Sequence, residues 1–297
     1  MLNPSNLRIR AFDRGYLDIF WDLGSTFDDL NNYDIYVQKA EAEFGPYVDV
    51  SPALRAVEHF RDASVHGYTS FYQRIYYRLR IVKKSTSEEK IVPDLGGARL
   101  EARPDLAALE IARHTNLRLK ESEGRVIWIF QRKRSGQRCT TCFDRNTMRS
   151  RRADCPVCYG TTFIGGYHTP IKTYAQVLTP QEMTYHTQNG PVESLNSMIK
   201  IGNYPELSEG DVIIEAENVR WKVGTSINRI EKSRSLVRQQ APIHAIPVSD
   251  IEFSLPVKLS LLEAGEFEAS PQRNYTNPSN LETSNFNLET SLTFGRK

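Results

Sequence analysis

The chain has 297 residues, more than one hydrophobic core usually serves, so two domains and an additional arm are expected. Hydrophobic residues at 39% and aromatics at 10% exclude global disorder, and 38 Lys and Arg against 36 Asp and Glu leave a formal charge of +2, which excludes a bulk electrostatic pull toward nucleic acid or an anionic membrane. The opening "MLNPSNLRIRAF" lacks the apolar core of a signal peptide and the longest apolar run, "VIWIF", is far short of a membrane span, so synthesis in a cytosol and no membrane partner are expected.

Residues 7–93 alternate short apolar and polar runs in the manner of strands: "LRIRAF", "YLDIFW", "YDIYVQKA" and "YYRLRIV", parted by Gly, Pro, Asp and Asn. This is the pattern of a small β-sandwich. Trp21 ending "LDIFWD", Tyr33 opening "YDIYVQ" and the late "YYRLRIV" resemble a fibronectin type III domain. The resemblance implies that Trp21 fills the space between two sheets and that Tyr76 or Tyr77 makes a tyrosine corner. Within this stretch "SPALRAVEHFRD" reads as helical. The expected unit spans residues 1–95, followed by a linker and helix over 96–124, in which Pro104 opens "PDLAALEIARHTNLRL" with Asp105 and Glu110 near its positive end and Arg113 later.

A strand "RVIWIFQRKR" follows, and strand resumes at "GGYHTPIKTYAQVL". "GDVIIEAENVRWKVGTSINRI" predicts a hairpin with Val219, Trp221 and Val223 on one face and Arg220 and Lys222 on the other. With "VRQQAPIHAIPV" these strands predict a small β-barrel over residues 125–255, carrying residues 134–168 as a projecting insert. The overall fold class is therefore mainly β. Past Pro256 the composition turns polar, and "NLETS" occurs at 280–284 and again at 287–291. Residues 256–297 read either as a solvated tail or as an extended arm whose Leu281, Phe286, Leu288, Leu292 and Phe294 anchor it to a neighbouring subunit by strand addition.

All four cysteines fall in "RCTTCFDRNTMRSRRADCPVCYG", as two Cys-x-x-Cys pairs. A thioredoxin-like redox site needs one such pair at the start of a helix, whereas two pairs at short spacing supply the four sulfurs of a tetrahedral ion. Cys139, Cys142, Cys155 and Cys158 are thus the predicted ligands of a structural Zn2+ in a zinc-ribbon-like insert, with iron of the rubredoxin type using the same donors. Four protein ligands leave no position for substrate, and Gly160 suits the turn that closes the second knuckle. An insert this small cannot fold on apolar burial alone, while structural zinc contributes about 10–16 kcal/mol in small peptides. Cys155→Ser is therefore expected to unfold the insert and spare the N-terminal sandwich.

Residues 132–152 hold eight basic side chains and one acid, a local +7 that four thiolates and a zinc ion reduce to roughly +5. Arg145, Arg149, Arg151 and Arg152 face either acidic protein neighbours or DNA. The histidines (His59, His66, His114, His168, His186, His244) are scattered and no H-E-x-x-H or G-x-S-x-G occurs, so no enzyme is expected; His168, near the second knuckle, is a candidate for orienting a cysteine sulfur.

The order "IFQRKRSGQRCTTCFD" followed by "CPVCYGTTFIGGYHTPI" resembles the zinc-bearing segment of virion structural proteins of tailed bacteriophages, and "YPELSEGDVIIEAENVRWKVGTSINRI" is similar to the barrel of phage neck proteins, the head-completion and stopper group. The resemblance implies a ring-forming subunit of the neck, or head-tail connector, between portal and tail. It also implies assembly in the host cytoplasm, residence in the virion, and as partners copies of itself, portal or adaptor and tail proteins, and DNA in the channel. The N-terminal module departs from the stopper pattern and makes a collar, tail or baseplate position an alternative. A zinc-ribbon nucleic-acid-binding regulator is the other.

Overall fold

The computed structural model describes residues 2–67, 69–100, 103–187, 190–216 and 218–256. Strand accounts for 41% of it and helix for 13%, so the fold is mainly β. The expected arm over 256–297 lies outside the described residues except for Pro256.

The chain begins with β1 (Ser5–Arg10), β2 (Leu17–Asp22), the short β3 (Ser25–Thr26), β4 (Tyr33–Ala40), β5 (Val48–Asp49) and β6 (His59–Asp62). A single-turn helix α1 (Thr69–Gln73) precedes β7 (Tyr76–Lys83), β8 (Glu89–Val92) and β9 (Ala98–Arg99). One sheet has the order β1-β2-β6; the other has the order β5-β4-β7-β8, with β9 also on β7. Alternation decides what each strand buries. Leu17, Ile19 and Trp21 from the first sheet meet Ile35, Val37, Tyr77, Leu79 and Ile81 from the second in one core.

Two expectations change here. The stretch 51–62 is not helical: Leu54 bridges to Ile35 and His59–Asp62 is a strand paired with β2. Its four residues alternate, Phe60 entering the core and Asp62 accepting from Tyr77 Oη at 2.9 Å, so a period of two overrides local helix preference. The N-terminal unit also runs past residue 95, because β9 joins its sheet and Leu100 its core.

Helix α2 (Leu106–Arg118) is capped by Asp105, whose carboxylate accepts from the backbone N–H of Ala107 at 2.8 Å and Ala108 at 3.3 Å. It continues as a π-helical turn (Leu119–Glu123) that stops at Gly124, where a Cβ would lie 2.3 Å from Leu119 O. The helix belongs to the barrel rather than to a free linker: it lies along the last barrel strand and buries Ala108, Leu109 and Ala112.

The second half holds β10 (Arg125–Phe130), then β11 (Gly136–Gln137), β12 (Phe143–Asp144) and β13 (Arg149–Ser150) in the cysteine segment. After these come β14 (Ile171–Val177), β15 (Gln181–Thr187), β16 (Gly190–Ile201), β17 (Val212–Glu215), β18 (Arg220–Val223), β19 (Asn228–Lys232) and β20 (Ser235–Ala245). Six of them close a barrel in the order β14-β10-β17-β18-β20-β16, with β16 returning to β14. Ile127, Ile129, Ile199, Ile213, Trp221 and Ile243 are among the residues that fill it. β15 lies outside the ring and pairs with β16 from Gln181 to Thr187, so this hairpin extends beyond the barrel wall.

"VIWIF" is apolar on both faces because both are covered: Ile127 and Ile129 point inward, while Trp128 and Phe130 pack outside with Tyr167, Ile214, Ile246 and Leu255. The same outer cover alters the expected hairpin faces. Trp221 and Val223 are buried as read, but Val219 is exposed and Arg220 is buried, donating to Leu255 O at 3.0 Å with its guanidinium 4.8 Å over Phe253. Among the described residues no helix is long and apolar enough to cross a membrane.

Candidate metal centre

The cysteine segment leaves the end of β10 and re-enters the barrel at β14, its antiparallel neighbour. Bridges Arg132↔Tyr167 and Arg138↔Phe163 zip its stem. At its tip the first knuckle turns back through Phe143 N–H to Cys139 O, and the second through Tyr159 N–H to Cys155 O and Thr161 N–H to Cys158 O. Gly160 has φ +74°, as the closing turn requires. Gly166 has φ +65°, and a Cβ there would lie 2.7 Å from Cys158 O, so the return strand passes directly over the second knuckle.

The four thiols are free and almost wholly buried. Their sulfurs lie within 4.8 Å of one another, with Cys139 to Cys155 at 3.9 Å and Cys142 to Cys158 at 3.3 Å. Four sulfurs around one ion with bonds of about 2.3 Å sit about 3.8 Å apart, so the donor set fits a single tetrahedral metal ion. These four cysteines form a cluster of their own, with no aliphatic side chain among its members. Burial pushes the Cys142 and Cys158 thiols up. For Cys155 burial acts the same way, but N–H donation from Val157 and Cys158 outweighs it and brings the thiol down to about 7. Burial opposes ionisation and the knuckle amides favour it; a bound cation would resolve the conflict by stabilising the thiolates.

The arginines are less free than the charge count suggests. Arg151 pairs with Asp144 at 3.4 Å and Arg152 with Asp154 at 3.3 Å, within the insert itself. Arg145 stacks 4.1 Å over Phe27 of the N-terminal unit. Arg149 is exposed on β13 opposite Asp144. His168 does not orient a cysteine: its Nε2 lies 3.3 Å from Glu58 Oε2, and burial, with Lys133 adding to it, pushes the imidazole down to about 4.

The insert does not project freely. β11 pairs in parallel with β3, Gly136 N–H donating to Gly24 O at 2.6 Å and Arg138 N–H to Thr26 O at 2.7 Å. Arg138 also donates to Ser25 Oγ at 2.8 Å and Thr162 Oγ1 at 2.7 Å while lying 4.5 and 4.3 Å over Phe143 and Phe163. Glu58 accepts from Leu23 N–H at 2.8 Å and from Ser135 Oγ, joining the base of the insert to the N-terminal unit. None of Ser25, Phe27, Glu58 and Ser135 carries a sequence signal for this role, since Arg138 and its partner Ser25 are 113 positions apart.

A cleft of about 490 Å³ lies at the same seam, with Arg10, Phe20, Lys133, Tyr167, His168 and Tyr204 among its walls. No protein-family model matches the chain, and no curated protein matches it.

Proposed function

We propose that this chain is a non-catalytic building block of a tailed-phage virion: a ring-forming subunit of the neck, or head-tail connector, in which a four-sulfur zinc centre stabilises a zinc-ribbon-like insert. The observation that carries this reading is a closed six-stranded barrel with a hairpin extending beyond its wall and a four-cysteine segment set between adjacent strands β10 and β14. A barrel without open edges leaves its outer surfaces for packing against copies of itself, and weak contacts repeated around a ring multiply.

Zinc is the assigned ion because four thiolates in a buried shell suit a d¹⁰ cation with no redox demand, and a shell completed by protein leaves no place for substrate. The N-terminal unit is read as a fibronectin type III-like sandwich. Trp21 in the core shared by its two sheets supports that reading, while the Tyr77 hydroxyl donates to the Asp62 side chain rather than to backbone, unlike a tyrosine corner. The insert's arginines face DNA in the channel or acidic neighbours through Arg149 and the open sides of Arg145, Arg151 and Arg152.

Native mass spectrometry of the full chain tests the assignment. A discrete oligomer with one zinc per chain is expected. Iron with visible thiolate-to-metal absorption would replace zinc by a rubredoxin-type centre. A monomer whose DNA affinity falls steeply with salt would replace the building block by the nucleic-acid regulator.

A further inference from the structure

The metal-bearing segment is built into the N-terminal unit as well as the barrel. β3 is a two-residue piece of edge in that unit, and among the described residues its strand partner is β11 of the insert. Most contacts on the insert side adjoin a cysteine or the stem: Arg138 precedes Cys139, Phe143 follows Cys142, and Ser135 immediately precedes the pairing strand. Phe143 meets Phe27 at 5.9 Å, and Arg145 covers the same ring.

Further contacts across the seam come from residues 203–206, from α2 and from Arg103, whose guanidinium lies 5.4 Å over the Tyr72 ring. Asn203 donates to Phe12 O at 2.8 Å, Tyr204 packs on Phe12 at 5.4 Å, Arg10 approaches Glu206 at 3.9 Å and Arg14 approaches Glu110 at 3.4 Å. The ion pairs of this second patch are long and half-exposed and contribute little, so its hold rests on the buried Phe12 and Asn203, at one end of the seam away from the cysteine segment.

We infer that the metal centre is a clasp: metal binding orders residues 135–145 against Gly24–Phe27 and Glu58, and thereby fixes the N-terminal unit in one position on the barrel. The inference rests on the metal assignment and extends it from folding an insert to joining two cores. The physical reason is the composition of the insert. Its innermost cluster is four sulfurs, so without an ion β11 is held by Phe143, Phe163, Arg138 and the backbone bonds of Ile164 to Gln137 and Cys139 to Thr162, and it releases β3 when the knuckles open. The cleft at the seam follows from the same joint, since its walls come from both units, and Glu58, Lys133 and His168 in them face one another.

The test uses the full chain, with metal content read by native mass spectrometry before and after a chelator. Hydrogen exchange follows the amides of Gly136 and Arg138, and small-angle X-ray scattering follows the radius of gyration. On metal removal these two amides are expected to exchange at least about tenfold faster and the radius to rise, while the amides of β4, β7 and the barrel strands keep their protection; zinc addition reverses both. Phe27→Lys, which leaves every sulfur in place and sets a like charge against Arg145, should keep one metal per chain yet show the same expansion. Unchanged protection and radius in the metal-free chain, an unchanged radius in Phe27→Lys, or loss of protection throughout the molecule on chelation would each overturn the clasp. A chain that takes up no metal even from added zinc overturns the metal assignment together with it.

Discussion

Arg138 illustrates how much a single side chain can join: its backbone N–H completes a strand pair with Thr26, and its guanidinium bonds Ser25 and Thr162 between two phenylalanine rings. Nothing about an arginine before a Cys-x-x-Cys announces this, because a positive charge there reads equally well as a solvated or phosphate-facing group. His168 is a second residue whose role depends on a distant neighbour. Its ordinary value of 6.5 falls to about 4 in the fold, so between those values the unfolded chain binds the extra proton. Its contribution to stability is complete above about pH 6.5 and is lost as the pH falls toward 4. Glu58, raised by burial, acts in the opposite direction above its ordinary 4.5, so the two partly offset. In His168→Gln, whose amide can still donate to Glu58, the acid-side decline should flatten; urea midpoints at pH 7, 5.5 and 4.5 for both proteins measure it, and parallel declines would refute the assignment.

At the scale of elements, helix α2 depends on small residues. Its start is fixed by the Asp105 cap, whose backbone N–H donates to Ser235 Oγ and whose carboxylate pairs with Lys232, and its length lies along β20 with Ala108 and Ala112 buried. Alanine there lets the helix backbone approach the strand, so Ala112→Leu should overpack the contact and cost about 1–3 kcal/mol. Thermal or urea unfolding of the metal-loaded chain reads this directly, and an unchanged midpoint would show a looser packing than the buried alanines indicate. The helix itself was legible in the sequence from Pro104, Asp105 and the long helix-forming run. Its attachment to the barrel was not, since a weakly amphipathic helix carries no mark of what it packs against. The stretch 51–62 failed for the converse reason: good helix formers occupied a strand whose register is set by Phe60 in the core and Asp62 beneath Tyr77.

Across the described residues, stability comes from the core of the N-terminal unit, the barrel interior and the apolar cover on the barrel's outer face, and the cysteine segment adds a sulfur-based cluster. The barrel core is closed on all sides, so a cavity in it has no edge through which to relax. Ile243, fully buried and paired through β20 to both β16 and β18, should cost about 2–5 kcal/mol on replacement by Ala. The same substitution should leave metal stoichiometry unchanged in the folded fraction, which separates barrel packing from the metal cluster. Equilibrium urea unfolding and metal analysis of the same preparation check both halves of that expectation.

The amino-acid sequence by itself determined the local features: the two-residue period of the strands, the apolar run that becomes β10, the start of α2, and the four cysteines that come together. Each rests on neighbours close along the chain or on a chemical type with few alternatives, because sulfur pairs at that spacing have few other uses. Tertiary structure alone decided which faces were covered and what the insert touched. Arg220 is buried because residues 246–255 fold over the outer face of the barrel, and the cysteine segment is held between two units because β3 supplies a strand edge more than a hundred positions away. Such contacts follow from shape and complementary edges across the assembled fold, and these leave no periodicity or spacing in the chain that forms them.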